Sequence, residues 1–160
     1  MFYLCSLGSN ISPEQHVPAI IAQLSAYFSP ITFSSLIYTA PSQMISSHDF
    51  VNGLFYFKAE RSIEMIKRLF NQLEMYHGRN KRDPQSSQKD RVLDLDILMS
   101  HSALSQLSHY APIPEYLKPL HDELFKQHPL DVHQSKFICQ IGSLQLGNRA
   151  TTIHSDPSPG

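Results

Sequence analysis

The segment DRVLDLDILM, residues 90–99, sets two aspartates, Asp94 and Asp96, one residue apart inside a run of aliphatics. Val92, Leu93, Leu95, Ile97 and Leu98 read as a strand built for burial. Residues two apart on a strand face the same side, roughly 6.6 Å from each other at ~3.3 Å per residue. Asp94 and Asp96 are therefore expected to converge on one region, with Leu93, Leu95 and Ile97 entering a core behind them. Desolvating a carboxylate is costly and two close carboxylates repel, so either one of them is protonated or a cation sits between them.

Upstream of that strand the chain divides into alternating elements. FYLCSL (2–7) is a short apolar strand ended by the turn signal GSN. Ser12, Pro13 and Gln15 resemble a helix start with a capping-box glutamine. Val17, Ile20, Ile21, Leu24 and Phe28 recur at helical spacing. Pro18 implies either a kinked first turn or a helix beginning near it. ITFSSLIY (31–38) and DFVNGLFYFKAE (49–60) read as strands. Ser62 caps a second helix with the stripe Ile63, Ile66, Leu69, Phe70, Leu73 and Tyr76, stopped by Gly78. The order β-α-β-β-α-β is the ferredoxin-like arrangement, an α+β fold in which helices pack on an antiparallel sheet. The final third is broken by prolines in APIPEY, LKPL and HPL. A single domain is expected over 1–146, followed by a loose tail over 147–160.

Composition narrows the function. At 160 residues the chain has room for one domain with a substantial core, and 41% hydrophobic against 17% charged residues marks it as globular. A formal net charge of −1 supplies no basic field, so no nucleic-acid partner is expected. No apolar run reaches the roughly 20 residues of a membrane span, and MFYLCSLGSN lacks the basic start of a signal peptide. Cys5 and Cys139 have no metal-type spacing. A cytoplasmic monomer is the expectation.

Hard carboxylate oxygens favour Mg²⁺, which completes its shell with waters and substrate phosphates. Arg79, Lys81, Arg82, Lys89 and Arg91 lie in or beside the polar segment 79–90 before the aspartates. Such a long connection suggests a lid that closes over phosphates. Together these features point to phosphoryl or pyrophosphoryl transfer from a magnesium nucleotide, although no P-loop or kinase signature is present. Read alone, D-x-D is equally an edge strand with two solvated aspartates beside a basic loop.

RVLDLDIL (91–98) resembles the signature of the 6-hydroxymethyl-7,8-dihydropterin pyrophosphokinases of folate biosynthesis, with an arginine three residues before D-x-D. LGSN (7–10), SSLIYTAP (34–41), DFVNGLFYF (49–57) and QLEMYHGR (72–79) resemble further pieces of that family in the same order. The resemblance spans about residues 2 to 99. It implies transfer of the β,γ-pyrophosphate of ATP to the pterin hydroxymethyl group, releasing AMP. It implies that Asp94 and Asp96 hold two Mg²⁺ ions and that Arg79 and Arg91 contact phosphates. Asn71, Glu74 and Ile97 would line the nucleotide side. Thr39, Ala40, Phe50 and Asn52 would line the pterin side, with Phe50 stacking on the ring and Phe125 as a second ring. Outside the resemblance, Phe50 reads equally as core, Asn52 as a satisfied buried amide, Thr39 as a turn residue and Glu74 as part of a solvated helix face.

The sequence also departs from that family. It has no tryptophan before Arg91, and Pro112-Ile113-Pro114 stands where the family carries P-H-P. Glu123 aligns with a phosphate-binding arginine, exchanging attraction for repulsion. Lost phosphate contacts would weaken ATP handling more than pterin binding, and Ile113→His with Glu123→Arg is expected to restore them. The alternatives are a pterin- or nucleotide-binding paralogue with weakened transfer, and a non-enzymatic ferredoxin-like interaction module.

Overall fold

The computed structural model describes residues 1–40, 49–79, 92–109 and 112–155. Its elements run in the order β1 (Phe2–Ser9), α1 (Pro13–Tyr27), β2 (Ile31–Phe33), β3 (Ile37–Thr39), β4 (Phe50–Lys58), α2 (Ile63–Tyr76) and β5 (Asp94–His101). Two 3₁₀ turns follow, then α3 (Lys118–Lys126), β6 (Cys139–Ile141), β7 (Leu144–Leu146) and β8 (Thr151–Ile153). The main sheet has the order β5-β1-β4-β2-β8, with β3 also paired to β4, and β6-β7 forms a separate hairpin. The strand pairings are antiparallel. The molecule is thus α+β, as the alternation of periods 2 and 3.6 in the sequence requires.

Alternation along the strands divides the core in two. Tyr3, Cys5, Leu7, Val51, Phe55, Phe57, Leu93 and Leu95 turn to one face and pack with Val17, Ile20, Ile21 and Leu24 of α1 and Ile66, Phe70 and Leu73 of α2. Leu4 and Leu54 turn to the other face, where they join Leu107, Ile113, Leu117 and Leu120. Fully burying each such side chain contributes about 1.5–3 kcal/mol, so the register is held by both faces at once.

Local signals were obeyed unevenly. Ser62 caps α2, accepting from the Met65 amide at 3.3 Å. Ser12 makes no side-chain cap and lies in the left-handed region, so the expected capping box does not form. Its carbonyl instead receives the Gln15 and His16 amides. Pro18 lies inside α1, which begins at Pro13. The strand expected over 31–38 is interrupted, because the Ser34 hydroxyl accepts the Leu54 amide and donates to the Ser35 carbonyl. The segment from 147, expected to be loose, instead supplies an edge strand. Thr151, Thr152 and Ile153 pair with Phe33, Thr32 and Ile31, and the Ser155 hydroxyl donates to the Ser25 carbonyl. Polar residues without hydrophobic alternation can still complete a sheet edge when the neighbouring strand offers unpaired amides. No described helix is long and apolar enough to cross a membrane.

Two residues expected to mark lost phosphate contacts have structural work here. Ile113 is buried, 5% exposed, in the second core. Glu123 accepts from the Ser35 amide at 2.7 Å and the Ser35 hydroxyl at 2.5 Å, tying α3 to the break between β2 and β3. Placing histidine and arginine at these positions would bury a polar ring and remove a charge-assisted acceptor. The pair Ile113→His and Glu123→Arg should therefore lower stability by about 2–4 kcal/mol, read as a clear fall in Tm. An unchanged Tm would show that neither contact matters to the fold.

A second prediction concerns acid. His121 is fully buried, and its Nε2 donates to the Leu107 carbonyl at 2.7 Å, which fixes that nitrogen as the protonated one. Burial pushes the His121 pKa down, only partly opposed by that carbonyl. His77 is lowered too, by burial and then by His16, whose Nδ1 lies 2.9 Å from its own. Both groups therefore have folded pKa values below their unfolded values of about 6.5. Above that pH their contribution is fully present. As pH falls through the folded values, the unfolded chain takes up protons that the fold refuses, and stability is lost. Tm should fall as pH drops below about 6.5, the unfolded value, and His121→Gln should flatten that slope. An equal slope in parent and variant would remove His121 from the account.

Candidate active site

Strand β1 is paired on both sides, and its register brings the sequence-predicted residues into one row. Gly8 lies opposite Asn52 on β4 and opposite Asp94 on β5. Two residues along, Ser6 lies opposite Asp96. Two strand spacings separate Asn52 from Asp94, about 10 Å. Leu93 and Leu95 enter the helix-covered core, so Asp94 and Asp96 face the opposite side, together with Asn52 and Leu54. Gly8 has the room this row needs. A Cβ there would stand 3.0 Å from Asn52 Oδ1 and 3.7 Å from Phe50 Cδ1. Gly8 belongs to LGSN, and a glycine inside a strand is itself a sign of close approach.

The carboxylate side is organised by Arg79. Helix α2 ends at Tyr76, and Gly78 follows at φ +98°, a left-handed position that glycine adopts at no steric cost. The Arg79 amide then bonds back to the Glu74 carbonyl at 3.0 Å, closing a Schellman turn. This turn aims the guanidinium between two acids: Arg79 Nη1 donates to Asp94 Oδ1 at 2.5 Å and also to Glu74 Oε2. Glu74 is 1% exposed and Asp94 18%. Burial works against the Arg79 charge, but Asp94 and then Glu74 outweigh it and hold the guanidinium pKa above its ordinary value. Asp96 is exposed on an edge strand.

Asn52 Nδ2 donates to Thr39 Oγ1, joining the ends of β3 and β4. Phe50 and Asn52 are buried, Thr39 is half-buried and Ala40 exposed. Asn71 is exposed on α2, one turn before Glu74. Ile97 packs against the helix-side core, so its side chain points away from the carboxylates. Phe125 lies on α3 against Tyr56, at 5.4 Å between ring centroids, and against His121 at 4.8 Å. Tyr56 is four residues beyond Asn52, ~13 Å along the strand, so Phe125 stands apart from the Thr39–Asn52 pair. Arg91 and the rest of the expected lid, 80–90, lie outside the described residues. An open cleft of about 610 Å³ is lined by Asn10, Pro13, Tyr38 and Asp49 among others, and the two carboxylates are not among its walls.

Among the described residues no cluster of three or more His, Cys, Asp or Glu side chains forms a closed metal site. Two hard carboxylates on one strand face suit an ion that keeps waters and takes phosphate oxygens, as Mg²⁺ does, and not a structural zinc.

Comparison with curated proteins gives no match. A family model described as 7,8-dihydro-6-hydroxymethylpterin-pyrophosphokinase (HPPK) matches residues 4–140. That span takes in β1 through the start of β6, with the row from Asn52 to Asp94 inside it. On this match the chain belongs to the 7,8-dihydro-6-hydroxymethylpterin-pyrophosphokinase family.

Proposed function

We propose that the protein transfers pyrophosphate from ATP to 6-hydroxymethyl-7,8-dihydropterin, forming AMP, as a step of folate biosynthesis. The observation that carries this reading is the row Asn52–Gly8–Asp94, which sets an amide pocket and a carboxylate pair on one sheet face. Enzymes of this family use ATP with Mg²⁺, and the fit of Asp94 and Asp96 to that ion supports a site for two of them. With β3 set aside as an extra strand on β4, the order β5-β1-β4-β2 supports a ferredoxin-like reading of the core.

In the proposed reaction the pterin hydroxyl oxygen bonds to the β-phosphorus of ATP. The bond from that phosphorus to the α,β-bridging oxygen breaks, AMP leaves, and the hydroxyl proton passes to solvent. The ions would neutralise phosphate oxygens and orient the acceptor. Arg79 and Arg91 add positive charge where the transferred group gains negative charge. Asn71 and Glu74 lie on the nucleotide side, and Ile97 could contribute there only through its backbone. Thr39, Ala40 and Asn52 read the pterin edge and Phe50 stacks on its ring, while Phe125, held beside Tyr56, is left outside this pocket.

A second reading, a pterin-binding relative with weakened transfer, is favoured by one observation. Ile113 and Glu123 are committed to the fold and offer the phosphates nothing.

Incubation with ATP, Mg²⁺ and the hydroxymethyldihydropterin should yield AMP. Asp94→Ala or Asp96→Ala should lower its formation roughly a hundredfold or more while circular dichroism stays unchanged. Pterin binding without AMP would select the second reading, and neither binding nor turnover would leave the interaction-module alternative.

A separate expectation follows from the row. Gly8→Ala should push on the Asn52 amide and weaken a pterin analogue by about tenfold, the loss of one good hydrogen bond. Fluorescence titration measures this, and unchanged affinity would remove Asn52 from the pterin site.

A further inference from the structure

We infer that Glu123 is a positioning residue for the pterin side of the site. It holds a bulge at Ser35, and the extra residue of that bulge turns Thr39 to the face of Asn52. This inference rests on the pterin reading of Thr39 and Asn52. It assigns Glu123 a role other than repelling phosphate.

Register carries it. Ile31, Thr32 and Phe33 of β2 pair with Phe57, Tyr56 and Phe55 of β4, whereas Ile37, Tyr38 and Thr39 of β3 pair with Asn52, Val51 and Phe50. Ser34, Ser35 and Leu36 therefore lie opposite only Gly53 and Leu54, which is a β-bulge. Side chains alternate faces along a strand, so one added residue exchanges the faces of those beyond it. Ile31 and Phe33 accordingly enter the helix-covered core, while Ile37, at the same two-residue spacing, enters the other one. Thr39 follows Ile37 to that face, where its hydroxyl accepts from Asn52 Nδ2. An unbulged strand would turn Thr39 toward α1 and α2.

A bulge leaves its extra residue without a partner on the neighbouring strand. Ser34 keeps its partner, since its amide donates to the Leu54 carbonyl and its hydroxyl accepts the Leu54 amide, both at 2.9 Å. Leu36 lies over Gly53, where a Cβ would stand 2.5 Å from Leu36 Cδ2, and its amide donates to the Gly147 carbonyl at 2.9 Å. Ser35 is the residue left over, and it is fully buried. Its amide and hydroxyl both donate to the Glu123 carboxylate, at 2.7 and 2.5 Å. Helix α3 brings that carboxylate there because Leu120, one turn earlier, is buried in the same core as Ile37. A buried donor without an acceptor is costly, so removing Glu123 takes away what favours the bulged register over a slipped one.

The test is fluorescence titration of the full chain with a pterin analogue, beside titration with an ATP analogue and Mg²⁺. Glu123→Ala should weaken the pterin analogue about tenfold, the loss of one good hydrogen bond, and move the nucleotide less than about twofold. Glu123→Gln, whose amide oxygen still accepts, should recover most of the pterin affinity. Glu123→Asp keeps the charge but draws it back from Ser35, so it should also weaken the pterin analogue, and it stands in if the alanine variant folds poorly. In the ligand-free chain, Glu123→Ala or Glu123→Asp should shift the Asn52 side-chain ¹⁵N resonance. A merely structural role predicts a lower Tm with both affinities unchanged or weakened alike. Repulsion of phosphate predicts tighter nucleotide in the alanine and glutamine variants alike. Either result, or an unmoved Asn52 resonance, overturns the positioning claim. Asn52→Ala separates the two claims. If it binds the pterin analogue as the parent does, the pterin reading of this face fails and the positioning claim falls with it. If it loses affinity while Glu123→Ala and Glu123→Asp do not, only the positioning claim fails.

Discussion

Strand β1 carries hydrogen bonds on both edges, to β4 and to β5, and each candidate residue on those strands takes its place from that double pairing. A slip of one residue on either side would turn Asn52 or Asp94 into the helix-covered core and bring a leucine or valine out. Leu7 and Leu95 prevent the slip, since both are buried on the side of α1 and α2. The apolar half of each strand therefore fixes the polar half. Burial of a few large side chains sets the separation between amide and carboxylate more firmly than contacts within the site could.

Charge follows the same logic. Two acids beside a core are tolerable because a helix ends in a left-handed glycine and returns an arginine to them. The hydrogen bonds of that turn are local, but their effect is to bring the end of α2 against the start of β5. Glu74 is the costly member: a carboxylate at 1% exposure is stable only while it is paired, and Arg79 is one of its partners. Such an arrangement confines Arg79 to a small region, and in the proposed reaction a charge held in one place is what positioning catalysis of phosphoryl groups requires.

The C-terminal third shows how positions that look like site residues are recruited for packing. Ile113 fills the second core and Glu123 satisfies the Ser35 amide and hydroxyl where β2 breaks from β3. His121 donates to the Leu107 carbonyl and Phe125 packs against Tyr56, so with Glu123 α3 is fixed by three unlike contacts. An acid that would repel a phosphate in an open site is here an acceptor for two donors, and its cost is offset inside the protein.

The amino-acid pattern by itself determined the strands β1, β4 and β5, both long helices, the caps at Ser62 and Gly78, and the shared face of Asp94 and Asp96. These rest on periodicity and on turn chemistry within a few residues. The interruption at Ser34 and Ser35 was not legible, because it depends on Leu54, twenty residues away. Nor was β8, whose polar residues become a strand only because β2 presents an open edge. The partner of Asp94 lay in view as one of five nearby basic residues, but choosing Arg79 required the turn at Gly78 to be built. Glu123 read as a lost phosphate ligand until Ser35 was beside it. Local periodicity determines which face a side chain takes, whereas its partner is decided by tertiary structure, because the partner belongs to an element that only packing brings near.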